Sequence, residues 1–157
     1  MEPPPAVGGR DILVEHCMVW NDKVRALGIA GESRGEIYNI IFRRCTVLHS
    51  LADWAAEVGA LCVVLCDAGT VHDIVFEQID VLDERANGIN CMLFRDRWST
   101  DTQAGHIRAI CFRDISLPKN VSVRLWGYDA AHRVEDILLQ NVHMEEAEAP
   151  WLDSNVY

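Results

Sequence analysis

The sequence predicts an all-β chain folded as a right-handed, single-stranded parallel β-helix of about five coils. Three observations predict it. An eight-residue pattern recurs five times, beginning at Ile12, Ile40, Ile74, Ile110 and Ile137. In every copy the positions 0, 2, 5 and 7 from that isoleucine are apolar, and the residues at positions 3 and 4 are polar. A further apolar segment follows each of the first four copies before the next begins. Alternation on both sides of a two-residue polar corner keeps the four apolar positions facing one interior, which is strand periodicity rather than helix periodicity. No single copy can bury that face alone, but a stack of copies makes one continuous core.

The elements follow in order. Residues 1–10, MEPPPAVGGR, are rich in proline and glycine and read as an arm or cap. Residues 11–144 carry the β-helix. The first copy, Ile12 to Val19, leads to an apolar segment from Val24 to Ile29. The second, Ile40 to Val47, is followed by Leu61 to Cys66, and the third, Ile74 to Val81, by Cys91 to Phe94. The fourth, Ile110 to Leu117, precedes Val121 to Trp126, and Ile137 to Met144 is the fifth. Insertions fall at 49–60, 83–90, 97–106 and 127–134. Residues 145–157 are acidic and read as a short helix or tail closing the stack. The second corner residue is His16, Arg44, Gln78, Asp114 or Asn141, and three of these five types tolerate a left-handed bend well. Stacking the copies predicts an isoleucine row and a row in which Phe42, Phe76 and Phe112 lie between Val14 and Leu139.

Composition bounds the function. The chain has 157 residues, 50% of them hydrophobic and 24% charged, which suits one folded domain. Its formal charge is -10, so it repels phosphates: nucleic acid and anionic membranes are not expected partners. No apolar run is long enough to span a bilayer. The start lacks the basic and apolar regions of a signal peptide. Six cysteines include no CxxC pair and lie in apolar runs, so buried free thiols in a reducing, cytoplasm-like compartment are expected. Cys17 and Cys45 should lie on adjacent strands about 4.8 Å apart and remain unbridged. The histidines show no HxH or HExxH spacing, so neither a metal nor another cofactor is expected.

Some stretches go beyond core patterning. These are Val19-Trp20-Asn21-Asp22, Leu27-Gly28-Ile29, Ile40-Ile41-Phe42 leading into Val47-Leu48-His49, and Ile74-Val75-Phe76-Glu77-Gln78-Ile79. Together they resemble the β-helix glycoside hydrolases, more closely the dextranase and isopullulanase group and more distantly the polygalacturonases. The resemblance covers roughly residues 11–144. It implies a tryptophan-ended strand, a glycine-bearing strand and a return strand ending in hydrophobic-His near a cleft. In those enzymes an adjacent Asp pair lies upstream of the tryptophan-ended strand. No Asp-Asp pair occurs here, nor do Asn-Thr-Asp, Gly-His-Gly or Arg-Ile-Lys. The chain thus looks like the downstream half of such a hydrolase without its catalytic coil.

Glycoside hydrolysis needs two carboxylates on one cleft. Asp22, Asp53, Asp83 and Glu84 each follow the second strand of a copy by a few residues and could share a face, with Asp22 the candidate for catalysis. Trp20, Trp54, Trp98 and Trp126 could offer flat faces to sugar rings, and Trp20 should point outward because inward Val19 precedes it. His49 is expected as a loop anchor. Trp20, Asn21, Asp22, His49, Asp53, Trp54, Asp83 and Glu84 form the candidate ligand face. The expected function is a non-catalytic or weakly active carbohydrate-contacting module. The alternatives are an active glycoside hydrolase on an α-glucan or pectin-like polysaccharide, and an assembly module with no small ligand. The first copy has no partner on one side, so self-association through that open end, closed by two-fold symmetry, is also expected.

Overall fold

A computed structural model of the chain describes residues 8–29, 31–51, 58–119, 121–145 and 151–155. Among them there are eleven strands and no helix. The strands are β1 (Arg10–Glu15), β2 (Met18–Asn21), β3 (Leu27–Ile29), β4 (Glu36–Ser50), β5 (Leu61–Leu65) and β6 (Thr70–Val81). They continue with β7 (Ile89–Leu93), β8 (His106–Leu117), β9 (Val123–Trp126), β10 (Val134–Met144) and β11 (Leu152–Ser154). All pairing is parallel. One sheet runs β1-β4-β6-β8-β10, with β2 also on β4, and the other runs β11-β9-β7-β5-β3. After β2 the chain alternates strictly between the two sheets. This all-β, parallel arrangement is compatible with the expected β-helix.

The registers follow the expected rows. Ile12, Ile40, Ile74, Ile110 and Ile137 are successive partners, as are Val14, Phe42, Phe76, Phe112 and Leu139. The three phenyl rings stack at 4.8 Å between centroids, tilted by only 13° and 10°. The second sheet faces them with its own rows: Leu27, Leu61, Ile89 and Val123, then Ile29, Val63, Cys91 and Leu125. These side chains interlock as one core. Ile40 is 3% exposed and Phe76 is fully buried. At the β1 edge the isoleucine row opens, with Ile12 44% exposed. Cys45, Cys62, Cys66 and Cys91 are buried free thiols, while Cys17 and Cys111 are only half-buried.

The corners are more regular than the residue types suggest. All five second-corner residues are left-handed, including Arg44 at φ +52° and Gln78 at +53°. A second left-handed row precedes the isoleucines: Asp11, Asn39, Asp73, Ala109 and Asp136, with φ between +53° and +56°. Each long strand therefore bends twice without losing its pairing. Side chains bridge these corners along the stack, with Asn39 donating to Asp11 at 2.5 Å and Asn141 to Asp114 at 2.9 Å.

Several boundaries differ from expectation. The segment expected as strand from Val24 is strand only from Leu27. The Asn21 side chain draws Lys23 N and Val24 N into a turn at 2.9 and 3.1 Å, which delays the strand. His49, expected in an insertion, lies inside β4, because Trp20 and Asn21 of β2 pair with His49 and Ser50. In the acidic tail, Leu152–Ser154 form strand β11 on β9 rather than a helix. Gly28 is required by close approach: a Cβ there would fall 2.0 Å from the Cys62 carbonyl oxygen of the neighbouring strand. Most of the proline-bearing arm, residues 1–7, lies outside the described residues.

Candidate functional site

The site grows from an irregularity in pairing. Val19 pairs with Val47, but the next pair is Trp20 with His49, so Leu48 is the extra residue of a bulge. The bulge brings Trp20 and His49 together, with ring centroids 4.7 Å apart and planes 33° apart. Trp20 remains 66% exposed. Its indole Nε1 donates to Asp22 Oδ1 at 2.9 Å. The same oxygen lies 3.0 Å from His49 Nε2. Asp22 Oδ2 has no partner among the described residues and its side chain is 68% exposed.

His49 is 4% exposed and its other nitrogen, Nδ1, lies 2.5 Å from Asp83 Oδ2. One imidazole thus lies between two carboxylates. Arg85 closes the cluster. Its Nε donates to Asp83 Oδ1 at 3.0 Å, and its backbone N–H reaches the same oxygen at 3.1 Å. Arg85 Nη2 lies 2.9 Å from His49 Nδ1 and 3.4 Å from Asp83 Oδ2. Ser50 N also donates to Asp83 Oδ2, at 3.2 Å. Burial alone would push the Asp83 carboxyl up. The hydrogen bonds from Arg85 and Ser50 and the Arg85 charge outweigh it and hold the group below its ordinary value.

Of the candidate ligand face, the structure brings together Trp20, Asn21, Asp22, His49 and Asp83. Asn21 shapes the turn: besides its two accepted bonds, its amide donates to Arg25 O at 3.0 Å. Glu84 does not join them. It follows Asp83 but turns toward Lys119, 3.9 Å away, and borders a separate cavity with His143 and Glu145. Of the described carboxylates, Asp22 and Asp83 meet at His49, whereas Glu84, in the turn that follows Asp83, faces Lys119 instead. Asp53 and Trp54 lie outside the described residues. Trp98 is 52% exposed beneath the Arg97 guanidinium, and Trp126 is 37% exposed at the end of β9. Among the described residues, no group of three or more His, Cys, Asp or Glu side chains is arranged to hold a metal ion.

Sequence reasoning missed Arg85. The available signal was its spacing from Asp83, because Asp-x-Arg in a turn lets the guanidinium fold back on the carboxylate. It also missed a second buried carboxylate, Asp67. This group accepts from Thr100 N at 2.6 Å, Thr100 Oγ1 at 2.8 Å and Asp101 N at 2.8 Å, and fastens the 94–104 loop to β5. Burial opposes its ionisation, but those bonds and nearby Arg34 keep its carboxyl below the ordinary value.

No protein-family model matches the chain, and no curated protein or solved structure matches it.

Proposed function

We propose that the chain is a right-handed parallel β-helix of about five coils that contacts carbohydrate with little or no catalysis, resembling the downstream half of a dextranase- or isopullulanase-type hydrolase. Strict alternation between two all-parallel sheets supports the fold. The right hand follows because crossovers between parallel strands of one sheet almost always take it.

One observation carries the ligand. Trp20 presents an indole whose N–H is fixed by Asp22 and whose inner side rests on His49, leaving the ring outward. A pyranose offers a C–H face that packs on such a ring and hydroxyls that donate to a carboxylate. Asp22 Oδ2, without a partner among the described residues and on a largely exposed side chain, is open to that bond. The bonding of Asp83 argues against efficient hydrolysis. Both of its oxygens are occupied by Arg85, Ser50 and His49, so it is not free to act with Asp22 on a glycosidic bond.

A glycan array combined with hydrolysis assays on dextran, pullulan and polygalacturonate tests the proposal. The expected result is saturable binding to at least one glycan, lost in Trp20→Ala, with turnover absent or very slow. Binding to no glycan would overturn it. Robust turnover that disappears in Asp22→Asn would instead establish the hydrolase.

A second reading concerns assembly. Ile12 is 44% exposed where its neighbour Ile40 is 3% exposed, and β1 is an edge strand. That apolar edge supports self-association through the β1 end.

A further inference from the structure

The outer face of the second sheet is covered rather than wet. Cys62, Val64 and Met92 point away from the main core, yet they are buried in a cluster of their own with Phe94 packed against it. Beside this cluster lies a cavity of about 250 Å³. Liquid water occupies about 30 Å³ per molecule, so the space suits a ligand on the order of eight to ten heavy atoms. Drug-sized ligands usually need more room.

The lining has an apolar floor and charges of both signs. Val64 and Phe94 form the floor, and Trp98 stands at the mouth. Arg25 lies on the wall, and its Nε is buried without an acceptor among the described residues. The guanidinium on this wall favours a ligand that supplies an oxygen. Glu32 and Asp96 complete the lining. Asp96 spends one oxygen on its own turn, taking Trp98 N at 2.7 Å. An anion alone would meet two carboxylates here, and a cation alone would meet Arg25.

We propose that this cavity binds a free apolar α-amino acid of about leucine size, its carboxylate on Arg25, its ammonium on Glu32 and Asp96, and its side chain against Val64, Phe94 and Trp98. A zwitterion matches both signs at once. Its single aliphatic side chain also matches the volume better than a sugar, whose hydroxyls would find few partners on that floor. Its lining includes none of Trp20, Asp22, His49 and Asp83, so the inference does not depend on the carbohydrate reading.

Calorimetric titration of the whole chain with L-leucine, followed also by Trp98 fluorescence, tests the inference. Saturable binding with a fluorescence change is expected. Leucine amide, which lacks the carboxylate, and 4-methylpentanoate, which lacks the ammonium, should each bind at least tenfold more weakly. Arg25→Met should lower leucine affinity at least tenfold while leaving the affinity for leucine amide unchanged. Failure of leucine, valine, isoleucine, methionine and phenylalanine to bind would overturn the proposal. So would equal binding of leucine and its two singly charged analogues, which would make the cavity an apolar hole that does not read charge.

Discussion

Ala109 is the one residue in the left-handed row before the isoleucines that is neither Asp nor Asn, yet its φ is +54°. A Cβ in that region costs about 1–2 kcal/mol, and glycine escapes the cost while losing some chain entropy. Ala109→Gly should therefore raise stability by about 0.5–1 kcal/mol, read as a higher urea midpoint at unchanged slope. A lower midpoint would mean that the bend is not strained. This row was legible in the sequence, because Asp11, Asn39, Asp73 and Asp136 each precede the repeat isoleucine. The polar pair inside the repeat is the more conspicuous signal, since it interrupts an apolar pattern, whereas a residue just outside the repeat interrupts nothing. Arg44 and Gln78 were not legible as left-handed from their types; stacking on neighbouring corners imposes the bend on them. Asp67 and Asp83 carry a second residue-level consequence. Their burial raises both carboxyls, the hydrogen bonds lower them further, and the net direction is down. A lowered folded value gives stability that is present above the ordinary value of 3.8 and is lost as pH falls below it. Thermal melts should therefore drop below about pH 4, and less steeply in Asp83→Asn.

At the level of elements, the phenylalanine row is the part of the fold most readable in advance. Side-chain alternation and a repeated offset fixed which face each residue takes, and the pairing of Phe42 with Phe76 and of Phe76 with Phe112 follows. Phe76→Ala should cost about 3–5 kcal/mol, the range for emptying a buried aromatic site. A loss below about 1 kcal/mol in denaturant unfolding would contradict the register. The second sheet was less readable. Its strands are short, and Ile89 to Leu93 is buried on both faces, so no alternation marks its start. The Trp20–Asp22–His49–Asp83 cluster was readable as four residue types but not as a chain of contacts. The contacts depend on the bulge at Leu48 and on Arg85, neither of which has a periodic signature.

For the whole molecule, the proposed self-association gives a direct expectation. At micromolar concentration, light scattering on a sizing column should find a mass above 17.7 kDa, and Ile12→Lys should lower it. A 17.7 kDa species at every concentration would refute association through the β1 edge. The ladder order β1-β4-β6-β8-β10 has one more consequence. In the first sheet each strand is hydrogen-bonded only to the strands above and below it, so opening β6 requires opening strands on one side first, while β1 can open alone. Ile12 is 44% exposed where Ile74 is fully buried, which weakens the ends relative to the middle. Backbone amides should then exchange with deuterium as a gradient, fastest in the outermost strands and slowest in β6, so that the molecule frays from its ends like a zipper rather than opening all at once.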